Sequence, residues 1–130
     1  MRLFRLFTVI LLSGISSLAY AQSSEITFNV NLKPQLEDST FVPGRDKLVL
    51  VGNLNPINGL TPYILSDSTP KDSIYSIKVR FSPRFRNQIL NFNFEMTTNG
   101  VKQTELMPRS VQLMGREVEL DALYFNAFAW

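Results

Sequence analysis

The side chains best suited to acid–base chemistry are carboxylates: Glu117, Glu119 and Asp121 alternate along the chain, and Glu95 and Glu105 bracket Asn99-Gly100. Two carboxylates in unlike environments across a cleft can protonate a leaving group and activate water, as in glycoside hydrolysis. Three on one face of a strand are more simply read as solvent-facing charges. The same groups could take Ca²⁺, but no Asp-rich loop of the D-x-D-x-D-G form accompanies them, so neither a metal nor another cofactor is expected. The 130 residues contain no His and no Cys. That excludes a Ser-His or Cys-His nucleophilic pair, a thiolate or imidazole metal site, and any disulfide. The enzyme reading reduces to a glycan hydrolase working through a carboxylate pair such as Glu95 and Glu105. A non-catalytic binding role is the main expectation.

Other side chains could hold a ligand without reacting with it. In Arg80-Phe81-Ser82-Pro83-Arg84-Phe85-Arg86, cations and rings interleave as in the platforms that bind single-stranded nucleic acid. The same run suits a solvated loop with Phe81 and Phe85 packed beneath it, or a contact patch for anionic lipid, sugar or protein. Asn53, Asn55 and Asn58 crowd one turn, and Asn29, Asn31, Asn91 and Asn93 fall on predicted outward strand faces. Amides donate and accept, which suits sugar hydroxyls. Turn chemistry for the loop and a solvated sheet face for the others are the simpler account of any single Asn. Tyr63 is either a ligand-facing ring or a core one. Leu123–Trp130 carries Tyr124, Phe125, Phe128 and Trp130. Phe128 and Trp130 lack an evident burial site, so they either dock on a partner or membrane surface or fold back over one end of the domain.

The first 21 residues are expected to be an address rather than part of the fold. Arg2 and Arg5 precede the apolar run Leu6–Leu12, and Ala19-Tyr20-Ala21 gives the small-x-small pattern of a cleaved secretory signal. The run is short for a bilayer span and is followed by Ser13, Gly14, Ser16 and Ser17. The working chain is then Gln22–Trp130, in the periplasm, on the outer-membrane surface or outside the cell, with no transmembrane segment and at most peripheral membrane contact. Cleavage removes two of the 13 basic residues and leaves their number equal to the 11 acidic ones. The formal charge of +2 therefore belongs to the signal, and a neutral mature chain argues against a nucleic-acid partner.

The elements that must position these groups are strands. Glu25–Leu32, Ser73–Phe81 and Gln88–Thr97 alternate apolar with polar residues, and Lys47–Gly52 is continuously apolar, as for a central strand covered on both faces. Pro62–Ser66, Val101–Glu105, Arg109–Met114 and Arg116–Asn126 complete the set. The last slips period near Asp121-Ala122, across a bulge. Asn99-Gly100 signals a hairpin, and Lys33–Asp46 reads as a surface loop. Seven or eight short strands without a helical period imply one all-β domain, a single antiparallel β-sandwich.

The segments ITFNVNL, KLVLVGNLNPINGL, IYSIKVRF, ILNFNFEM and TELMPRSVQL, in that order, resemble the starch-binding family of carbohydrate-binding modules and its glycogen-binding relatives. The resemblance covers residues 25–120 and implies an immunoglobulin-like β-sandwich. It implies that Gly52, Asn53, Gly59, Phe92, Phe94, Glu105 and Arg109 are scaffold. The family stacks two Trp rings on glucose; Leu60 and Thr104 stand at those positions here. Asn93 replaces the lysine of the Tyr-Lys-Phe strand, and Pro108 replaces the asparagine before the arginine. The expectation is an exported, non-catalytic sandwich that acts by contact with a protein or surface of the bacterial envelope on a degenerate carbohydrate-binding scaffold. The alternative is a working α-glucan-like module with a site relocated to Asn53, Asn55, Asn58, Tyr63 and Arg84.

Overall fold

The computed structural model describes residues 22–68 and 71–127. The proposed signal and the two tail aromatics, Phe128 and Trp130, lie outside them. Nine strand segments form two facing sheets. They are β1 (Ser24–Asn31), β2 (Lys47–Gly52), β3 (Tyr63–Leu65), β4 (Ile74–Phe81), β5 (Ile89–Thr98), β6 (Val101–Thr104), β7 (Arg109–Gln112), β8 (Glu117–Glu119) and β9 (Leu123–Tyr124). In the first sheet β1 lies between β4 and the edge formed by β8 and β9. In the second, β2 lies between β3 and β5, whose far edge pairs with β6 and then β7.

The alternation of β1 explains the core. Ile26, Phe28, Val30 and Leu32 are wholly buried, and across the sheet Phe28 pairs with Ile77, and Val30 with Tyr75. From the second sheet Leu48, Leu50, Leu90, Phe92, Phe94 and Met96 point inward and are buried. Phe28 meets Phe92 edge-on at 5.0 Å between ring centroids, and Phe92 meets Phe94 at 5.8 Å. Such pairs add about 0.5–1.5 kcal/mol beyond the area they bury. Asn99 and Gly100 both take positive φ, as the hairpin between β5 and β6 requires.

Four expectations change. The sandwich is antiparallel except at β8 and β9, which run parallel to β1. The strand expected over Arg116–Asn126 is two segments, because the register slips by one residue between Glu119↔Thr27 and Leu123↔Val30. That is the bulge foreseen near Asp121-Ala122. The Lys33–Asp46 loop contains one helical turn, Lys33–Glu37. β2 is central, but Val49 and Val51 on its outer face are only half-buried.

Candidate functional site

One end of the sandwich gathers the groups best placed to meet a ligand. There β2 ends and β5 begins, while β4 ends beside the start of β1. The loop leaving β2 folds back tightly. A Cβ on Gly52 would stand 2.5 Å from Ile57 Cδ1 and 3.0 Å from the Asn91 carbonyl, so only glycine lets Ile57 bury there. Asn53 then bonds to β5 twice: its N–H donates to the Asn91 carbonyl at 3.1 Å, and its Oδ1 accepts from the Asn91 N–H at 2.9 Å. Asn53 thus ties the loop to β5.

The segment after β4 contributes the other wall. Ser82 Oγ accepts from the Arg84 N–H at 3.4 Å, starting the 3₁₀ turn Pro83–Phe85. The Arg84 guanidinium lies 5.2 Å from the centre of the Phe85 ring, and Phe85 packs half-buried on the core. Asn55 and Pro56 meet Ser23, Arg80, Phe81, Ser82 and Pro83 around an open depression of about 430 Å³. A second depression of about 440 Å³ continues over Gln22, Glu25, Arg116 and Glu117, sharing Ser23, Arg80 and Pro83 with the first. Arg80 Nε donates to Ser23 Oγ at 2.9 Å across the shared wall. Together they form a groove lined by hydroxyls, amides, proline faces, guanidinium groups and the carboxylates of Glu25 and Glu117.

The structure brings Asn55 to this groove and places Arg84 on the loop that walls it. Asn58 is exposed on the same loop as Asn55. Tyr63 is elsewhere: it opens β3 opposite Leu50 and packs half-buried on the core. Leu60, at the first stacking position of the resemblance, is fully exposed at the tip of its loop, and Thr104 is exposed at the end of β6. Asn29 is also not where it was expected. It is buried, donating to the Leu120 carbonyl at 2.8 Å and accepting from the Ser76 hydroxyl. It thereby stitches the slip between β8 and β9 to β4, which alternation alone did not reveal.

The carboxylates are engaged structurally. Glu105 is buried; its oxygens accept from Arg109 Nε at 2.9 Å and Arg109 Nη2 at 2.6 Å. It also accepts from the backbone N–H groups of Phe94 and Asn126, at 3.2 and 2.9 Å. Arg109 covers the Phe94 ring at 5.1 Å and donates to the Tyr124 carbonyl. Glu95 pairs with Lys102 at 3.7 Å, and Glu117 with Lys78 at 2.6 Å. The Asp46 carboxyl accepts from both Arg45 and the N–H groups of Asn99 and Val42. The Arg45 guanidinium, then those N–H groups, hold it far below the usual carboxylate range against the opposing effect of burial. Among the described residues no group of three or more Asp or Glu is arranged to hold a metal ion, and no helix is long and apolar enough to cross a membrane.

No family model and no curated protein matches the chain. Among solved structures, the glucoamylase of Hormoconis resinae is similar, with a TM-score of 0.56 and 16% identity over 86% of this chain. The likeness is one of fold. It supports the all-β sandwich, and it takes up 19% of the glucoamylase chain.

Proposed function

We propose that the protein is an exported, non-catalytic binding module of the bacterial envelope that works by surface contact. The observation that carries this reading is the groove between the Asn53–Thr61 loop and the Arg80–Arg86 run, whose lining can donate, accept and carry charge. The engagement of Glu105 in an internal ion pair supports the same reading, because the group is already committed. Export is supported by the signal-like N-terminus. Fractionation of cells producing the full chain tests it: a processed form in the periplasmic, outer-membrane or medium fraction is expected, and an unprocessed cytoplasmic form contradicts it.

The second reading, an α-glucan module with a relocated site, draws support from the fold shared with a glucoamylase chain. Its stacking would have to come from Tyr63, which is half-buried outside the groove. Native gels containing soluble starch or glycogen separate the two. The contact reading expects unchanged mobility, while retardation lost in both Asn55→Ala and Tyr63→Ala establishes the glucan site.

A further inference from the structure

The cations of this protein divide into two sets. Lys33, Arg45, Lys78, Arg80, Lys102 and Arg109 each have a carboxylate within 4.0 Å. Among the described residues Lys47, Lys71 and three arginines, Arg84, Arg86 and Arg116, have none. These three reach the same end of the sandwich from two segments far apart in sequence, and Arg80 completes the group at the end of β4. The loops around Arg84 and Arg86 cannot neutralise them. The chain has no Asp or Glu between Asp46 and Asp67, between Asp72 and Glu95, or between Glu105 and Glu117. Glu25 and Glu117 line the second depression but are already shared with Lys78, and Glu25 also with Arg80, so cations outnumber carboxylates at this end.

The Arg86 stem runs over Gly115, which has φ +70°: a Cβ there would stand 3.2 Å from both Arg86 Cδ and Nε. The backbone conformation and the space both call for glycine. The result seats Arg86 beside the residue that precedes Arg116. Like charges gathered in excess of their counter-charges destabilise the free protein, and an anion between them relieves that cost. Guanidinium forks match a carboxylate in bidentate fashion, whereas an ammonium acts as a point charge.

We propose that this groove binds an anionic, carboxylate-bearing oligosaccharide. Arg86 and Arg116 pair with its uronate groups, and Ser23, Ser82 and Asn55 meet its hydroxyls. The proposal rests on the reading of the chain as a binding module and names its ligand class. A saccharide fits better than a bilayer because the surface is concave and lined with hydroxyl and amide groups.

The test is native affinity electrophoresis and titration calorimetry of the purified protein against polygalacturonate, neutral dextran and phosphatidylglycerol vesicles, at 0.15 M salt. Retardation by polygalacturonate and none by dextran is expected. Arg86→Ala/Arg116→Ala should weaken binding at least tenfold at unchanged Tm, and Arg84→Ala supplies a second variant should the double one unfold. Lys47→Ala/Lys71→Ala should leave binding unchanged. Arg86→Lys/Arg116→Lys should restore less than half of the lost affinity, as a bidentate site requires. Full restoration by lysine overturns the built site in favour of diffuse attraction. Equal binding of dextran overturns the anionic specificity while the binding-module reading survives. Preference for vesicles makes the end a membrane contact instead. No binding to any saccharide overturns the proposal, and mobility unchanged by starch and glycogen as well would leave the contact reading to stand on a protein partner.

Discussion

At the corner between β6 and β7, Arg109 has only 12% of its side chain exposed and spends its donors inside the molecule, on Glu105 and the Tyr124 carbonyl. At the groove end, Arg84, Arg86 and Arg116 are exposed and have no carboxylate within 4.0 Å. The same functional group is structural in one place and available in the other. The difference comes from what the neighbouring chain supplies. Glu105 lies four residues before Arg109 at a sharp corner, and the turn that follows β9 closes over the pair through Asn126. The chain on either side of Arg86, from Ser73 to Phe94, contains no acid. Charge that is already compensated holds the fold, and charge left uncompensated is where a partner gains most by binding.

The comparison can be broken most forcefully at the corner. Glu105→Ala leaves Arg109 buried without its counter-charge and should cost about 3–5 kcal/mol in urea unfolding. A loss below about 1 kcal/mol would mean that the pair is no more than a surface contact. Asp46 sharpens the compensated side by pH. Its folded pKa is depressed, so the stability it contributes is present above the ordinary Asp value near 3.9 and lost as pH falls through the folded one. Asp46→Asn should therefore flatten the acid limb of the stability profile measured by circular dichroism between about pH 5 and 2. An acid limb as steep as in the parent protein would assign acid lability to other carboxylates.

A smaller effect is expected where the two regions adjoin. Asn53→Ala removes the side-chain acceptor for the Asn91 N–H and should cost about 1 kcal/mol in chemical unfolding. At the groove itself Arg86→Ala/Arg116→Ala should shift stability by no more than about 0.5 kcal/mol, as for surface substitutions away from packing features. A gain within that range fits relief of like-charge repulsion. A loss above about 2 kcal/mol would show that these arginines hold the fold, and the contrast with Arg109 would collapse.

The fold was legible because alternation is a strong local signal. Ile26, Phe28 and Val30 in β1, and Leu90, Phe92, Phe94 and Met96 in β5, point inward as their period requires. The bulge near Asp121 showed as a break in that period, but the parallel pairing of β8 and β9 did not. Direction depends on which edge of β1 is free, a tertiary property. The candidate site was legible in part. The Arg80–Arg86 run and the Asn-rich loop could be read as contact surfaces, yet their convergence with Arg116 depends on Gly115 and the closure of the sandwich. Tyr63 could not be assigned from local pattern, because β3 is only three residues long. Asn29 misled for a similar reason: its outward face is covered by the β8–β9 slip. The acid-free stretch from Ser73 to Phe94 was in the sequence throughout, and it is the signal that would have picked out Arg84 and Arg86.

The most direct measurement is a backbone amide chemical-shift titration of the protein with trigalacturonate. The account predicts perturbations confined to residues 22–25, 53–61, 80–88 and 113–117, saturable at physiological salt. Perturbations centred on Glu105–Arg109 and Leu123–Ala127, or none anywhere, would contradict it.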